Sequence, residues 1–211
     1  MAFTVAEYSS AEFNSLLDFS DVLSAFDRLD GDKLVNGPIK DLFRRHNVQG
    51  TIGLALLHKH FNIYDGERVT DVRGTSNPVT FELGEASTWG LSPERRQLVP
   101  VEYSITQSKI DWQTLTMQAF LTEFSEMMVS IVADGILGLC AYPGDGYPGR
   151  VEFTVGRSNV NLTPQEANLL PSVGTREAAW FYSDDFIRRG CRCNCFKTQK
   201  HTHSHGYTVS S

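Results

Sequence analysis

Between Ser10 and Phe26, apolar residues recur at three- and four-residue intervals (Phe13, Leu16, Leu17, Val22, Leu23, Phe26), the spacing of a helix with one buried face. Ser10 is placed to cap its start, and Ser20 or Asp21 recaps it after a break near Phe19. Asp30-Gly31-Asp32 stops it, and Pro38 opens a second helix through Ile39, Leu42 and Phe43 to His46. From Thr51 the period changes to two. Ile52, Leu54, Leu56, His58 and His60 fall on one side of an extended chain, while Ala55, Leu57, Phe61 and Ile63 include the other. Asp65-Gly66 signals a hairpin turn, with residues 68–72 returning antiparallel. Further strands are expected over 79–83 and 98–105, separated by a Gly-, Ser- and Pro-bearing loop over 84–93.

Asp111 begins the longest helical pattern, whose apolar stripe runs through Leu115, Ala119, Phe120, Phe124, Met127, Met128 and Ile131 before Gly135. Residues 136–142 and 150–155 read as strands joined by the glycine-rich turn over 143–149. Thr163-Pro164-Gln165-Glu166 is a capping-box signature for a short helix, and a last helix is expected over 176–189. Helices, then sheet, then a crossing helix and another hairpin predict an α+β fold. The expected form is a mainly antiparallel sheet crossed by one long helix, with N-terminal helices and a flexible C-terminal tail. The apolar pattern ends near Gly190, so the expected division is a single domain over 1–189 and a tail over 190–211.

Composition adds an asymmetry. The chain has 211 residues, 41% of them hydrophobic, and a formal net charge of −6, enough apolar content for one full core. From Arg188 onward lie five of the 19 basic residues (Arg188, Arg189, Arg192, Lys197, Lys200) and no acid, which leaves 14 basic against all 25 acidic residues in the body. An acidic body is not the footprint of a nucleic-acid binder. No glycine loop or dinucleotide fingerprint points to a nucleotide or flavin. The first residues lack a basic start and an unbroken apolar run, and the most apolar segment, 127–142, is interrupted and too short to span a bilayer. The sequence therefore predicts a cytoplasmic protein with no transmembrane segment.

The basic tail also concentrates soft ligands. Cys191, Cys193 and Cys195 alternate along the chain, and five residues later His201, His203 and His205 alternate again. Three thiols and three imidazoles at this spacing can close around zinc or copper, as a flexible chelator rather than a rigid four-ligand finger. The same cysteines beside basic residues are also a substrate for acylation and membrane contact. A second candidate pair lies in the body. His58 and His60, two apart on an extended segment, point the same way, with Asp71, Glu82, Glu102 or Glu152 available as a third ligand. Cys140, flanked by Leu139 and Ala141, reads as a packed core thiol, and His46 as a helix-terminal residue.

The run Gly53-Leu54-Ala55-Leu56-Leu57-His58-Lys59-His60-Phe61, followed by Asp65-Gly66-Glu67, resembles a segment of uncharacterised proteins of filamentous fungi. The resemblance covers about fifteen residues and implies a source and a family, with no activity, cofactor or catalytic residue attached. Three functions are thus expected from the sequence. The first is transition-metal buffering, delivery or sensing through the tail. The second is a small enzyme, a hydrolase or isomerase, working near His58, His60, Glu102 and Tyr103. The third is an interaction module held at a membrane by tail acylation.

Overall fold

The computed structural model describes residues 2–168, 175–182 and 187–194. Four helices follow a short first strand: α1 (Ser10–Ser15), α2 (Phe19–Arg28), α3 (Gly31–Asn36) and α4 (Pro38–Arg45). α2 buries Phe19, Val22, Ala25 and Phe26, and α4 buries Ile39, Leu42 and Phe43 behind a proline in its first turn, so each turns a helical-period stripe to the core. The long helix α5 (Leu115–Ser130) starts where the Thr114 side chain accepts the Met117 N–H. Asp111 lies outside it and accepts the Gln113 N–H at 3.0 Å, so the helix begins at Leu115, four residues later than the expected start at Asp111. α6 (Pro164–Ala167) carries the expected capping box, Thr163 and Glu166 bonding reciprocally.

The strands are β1 (Thr4–Val5), β2 (Ile52–Leu56), β3 (Arg68–Val72), β4 (Thr75–Val79), β5 (Glu85–Ser92), β6 (Gln97–Ser104), β7 (Leu137–Ala141), β8 (Arg150–Val155), β9 (Ser158–Leu162), β10 (Thr175–Tyr182) and β11 (Ile187–Asn194). They form one sheet in the order β1-β6-β3-β4-β9-β8-β11-β10-β2-β7-β5, and β5 also pairs with β6. Ten strands therefore close into a barrel, to which β1 adds outside the ring. Only the β1–β6, β3–β6 and β8–β11 pairings are parallel among those described. The chain is α+β with a mainly antiparallel sheet, as its pattern predicts; the closure of that sheet was not legible in it.

Closure gives the sheet an outer and an inner face. Outside, Ile52, Leu54 and Leu56 of β2, Leu137 and Leu139 of β7, and Trp180 and Tyr182 of β10 share one core with the helices. The Phe43 ring of α4 meets Phe120 of α5 at 4.9 Å and Tyr182 at 4.8 Å. Phe43 of α4 thus links the long helix to β10. Glycines in the wall let neighbouring groups approach closely. A Cβ on Gly53 would lie 2.3 Å from the Phe181 ring, and one on Gly138 would lie 2.4 Å from the Trp89 carbonyl oxygen. Phe13, Leu57, Ile63, Val69 and Val101 form a second cluster. Two of its members, Leu57 and Val101, line a cavity of about 730 Å³.

Several expectations are corrected. Arg68–Val72 does not return against β2; β3 pairs with β4 through the two-residue turn Arg73-Gly74 and with β6. Arg73 and Gly74 both have positive φ, 55° and 90°, the demand of a tight hairpin turn that an Arg-Gly pair does not advertise. The expected loop over 84–93 is mostly β5, and the strand expected over 79–83 is β4, ending at Val79. The stop at Asp30-Gly31-Asp32 is followed at once by α3. The helix expected over 176–189 is a strand pair, β10 and β11. Ala178 to Tyr182 is buried on both faces, and a short continuous apolar run does not separate a central strand from a helix by period. The boundary expected at residue 189 falls inside β11, which joins β8 and β10 within the ring. Among the described residues, no helix is long and apolar enough to cross a membrane.

Candidate metal centre

β2 ends at Leu56, so His58 and His60 lie just beyond the strand rather than within it. The segment that carries them is fastened from below. The Lys59 N–H donates to the Leu17 carbonyl at 3.0 Å, and its ammonium donates to the Asn14 carbonyl. The Asn14 side chain bonds both the N–H and the carbonyl of Ile63, each at 2.9 Å. With Lys59 turned toward α1 and α2, its two neighbours turn toward the barrel. Phe19, 1% exposed, backs both imidazoles, with ring centroids 4.8 Å from His58 and 6.0 Å from His60.

The two histidines converge with one of the four carboxylates that the sequence offered. His58 Nε2 lies 3.0 Å from His60 Nε2, and His60 Nε2 lies 2.5 Å from Glu152 Oε1. One ligand atom from each of the three residues fits within a mutual distance of 4.8 Å. His58 Nδ1 lies 2.7 Å from the Leu56 carbonyl oxygen. Because a carbonyl only accepts, Nδ1 carries the hydrogen, and in the neutral ring Nε2 presents its lone pair to the site. This is the outer bond that fixes a ligating histidine in the right tautomer. Two imidazoles and a carboxylate suit zinc or another divalent transition ion. Since Zn–N and Zn–O bonds are about 2.0–2.2 Å, seating an ion needs the donors to part by only about an ångström.

Glu102 stands beside this group. Register shifts in the β5–β6 pairing fall next to Val101 and Ser87, and such bulges re-aim side chains. As a result Val101 and Glu102, consecutive on β6, both line the cavity. Glu102 accepts from the Thr88 hydroxyl at 3.4 Å. Burial, reinforced by the Glu152 charge and opposed by His60 and Thr88, pushes the Glu102 carboxyl up to about 7. Asp71 is engaged elsewhere: it accepts from Arg150 at 3.1 Å and from the Gly74 N–H at 3.1 Å. Glu82 is exposed. Tyr103 packs edge-on to Tyr8 at 5.5 Å with the Arg68 guanidinium over its ring.

Cys140 is not a core thiol. It lines the cavity, its Sγ 3.6 Å from the Leu54 carbonyl oxygen, because inward positions alternate with the outward Leu139 and Ala141 on β7. His46 terminates α4, as expected, and pairs with Glu123 of α5 at 2.9 Å. Sequence reasoning missed Arg150, which its period-two spacing from Glu152 on β8 could have signalled. Among the residues lining the cavity, the glycine-rich turn after β7 brings Tyr147 edge-on to Phe181 at 6.0 Å, and Tyr142 meets the same ring at 5.7 Å.

Of the tail ligands, Cys191 and Cys193 occupy backbone positions in β11, paired with Arg150 and Glu152 of β8. Cys195, His201, His203 and His205 lie outside the described residues. Comparison with known proteins leaves the assignment to this chain's own geometry, since no protein-family model, curated protein or solved structure matches it.

Proposed function

We propose that this protein is a metal-dependent enzyme, of the hydrolase or isomerase kind, acting on a small molecule inside the barrel. The observation that carries the reading is the convergence of His58, His60 and Glu152 within 4.8 Å at a cavity of about 730 Å³, a volume in the range of small-molecule sites. Those three residues hold the ion, and a bound ion would supply a Lewis acid open to the cavity side. Leu56 orients His58 through its carbonyl, and Phe19 excludes water behind both rings. Glu102, held by Thr88, is the carboxyl placed to exchange a proton with a substrate at the site.

Zinc titration of the chelator-treated full chain tests this reading. The expected result is one tight ion per barrel, lost in His58→Ala/His60→Ala and weakened about 10- to 100-fold or more in Glu152→Gln. Unchanged zinc affinity in the double variant refutes it. Capture of zinc or copper by the Cys191 to His205 segment is a separate proposal, supported by the ligand spacing in the sequence. Tail acylation is supported only by the cysteine cluster and its basic neighbours.

A further inference from the structure

The cavity has a second polar feature, away from the histidines. Arg150 and Glu152 are two apart on β8, so both face the interior about 7 Å from one another along the strand. Arg150 lines the cavity with 35% of its side chain exposed. Its hydrogen bond among the described residues is the one to Asp71, out of the five N–H groups a guanidinium offers. Asp71 is itself anchored by the Gly74 N–H, so the pair holds the guanidinium fork in place. Its Cζ atom lies 5.6 Å from the Tyr147 ring centroid. Tyr147, Phe181 and Tyr142 form consecutive edge-to-face pairs that also line the cavity. An oriented fork beside aromatic walls is recognition chemistry for a planar carboxylate.

We propose that the substrate is an oxygenated ring-bearing acid, with its ring against Tyr147 and Phe181, its carboxylate on Arg150, and a hydroxyl or carbonyl oxygen directed toward the His58/His60/Glu152 centre. The proposal rests on the cavity being the substrate site of the enzyme proposed above, and adds the class of molecule it takes. Arg150 and Glu152 share the interior face of β8 two residues apart, so one small ring carrying an acid at one end and an oxygen at the other is the simplest molecule to engage both groups. A rigid ring does so at little entropic cost.

The test uses 4-hydroxybenzoate as the probe, with 4-hydroxybenzamide and trans-4-hydroxycyclohexanecarboxylate as matched controls. Binding to the full chain is measured by calorimetry and ligand-observed NMR, with zinc and with chelator. The expected result is binding of the aromatic acid at least about tenfold tighter than that of the neutral amide and tighter than that of the saturated acid. Arg150→Gln should remove this preference for the acid, and Arg150→Lys should keep part of it because charge survives while the fork does not. Circular dichroism of each variant establishes that it is folded. If Arg150→Gln fails to fold, Tyr147→Leu takes its place, with loss of the preference for the aromatic over the saturated acid expected. Equal binding of acid and amide, no binding of the acid at millimolar concentration, or an unchanged preference in a folded Arg150→Gln protein overturns the inference. The two readings fail separately. Arg150-dependent acid binding in a protein whose zinc affinity is unchanged by His58→Ala/His60→Ala sustains this inference and removes the metal reading; zinc binding through His58 and His60 with no Arg150-dependent acid binding does the reverse.

Discussion

Replacing Glu102 with glutamine is expected to change how the fold responds to pH. Glu102 binds its proton in the folded barrel up to about 7, against an ordinary 4.5. Between those values the folded protein holds a proton that the unfolded chain has released, so stability falls as pH rises from about 4.5 to 7 and then levels off. At about 1.4 kcal/mol per pH unit, the full cost above pH 7 is about 3 kcal/mol, less where cavity water screens the charge. The substituted amide would keep an oxygen to accept from Thr88 and carry no charge to desolvate or to oppose Glu152. The assay is urea denaturation of both proteins from pH 4 to pH 8 with chelator present, because a bound cation would pull Glu102 down. The two proteins are expected to be about equally stable at pH 4, with Glu102→Gln the more stable by up to about 3 kcal/mol at pH 8. Parallel pH curves, or a Glu102→Gln protein less stable at pH 8, would refute the argument that burial of this carboxyl is a cost.

Two further predictions concern the barrel walls. A methyl group on Gly138 would press against the Trp89 carbonyl oxygen and the Leu57 side chain, so Gly138→Ala is expected to cost roughly 1–3 kcal/mol in urea denaturation. Gly50, with nothing within 4 Å of a built Cβ, is the control, and Gly50→Ala should stay within about 0.5 kcal/mol of the parent. On the outside, Phe120 is fully buried between Phe43 and Phe124; Phe120→Ala should cost roughly 3–5 kcal/mol while leaving the order of zinc affinities among the site variants unchanged.

The helices α2 and α4 were legible because each shows one apolar stripe against a polar background, as Ile39, Leu42 and Phe43 do; α5 was legible as a helix, but its buried face includes Met117 and Leu121, which lie off the expected stripe, while Leu115 is exposed. Barrel closure was not legible, because the pairing of β5 with β6 joins residues whose own spacing says nothing of the ring. β10 was misread for a physical reason: with helices outside and Phe181 inside, both its faces are apolar, and alternation disappears. His58 and His60 were legible as a pair from their spacing. Their third partner was narrowed only to four acids, because choosing Glu152 requires knowing that only β11 and β10 separate β8 from β2 in the ring. Arg150 was missed although its period-two spacing from Glu152 on an expected strand places both on one face.

X-ray absorption at the zinc edge of the full chain, loaded with one equivalent of zinc, tests the central claim most directly. The account predicts a first shell of nitrogen and oxygen at about 2.0–2.1 Å with two imidazole signatures, lost in His58→Ala/His60→Ala. Zinc–sulfur scattering at about 2.3 Å, retained in that double variant, would contradict it and assign the ion to cysteines instead of the barrel.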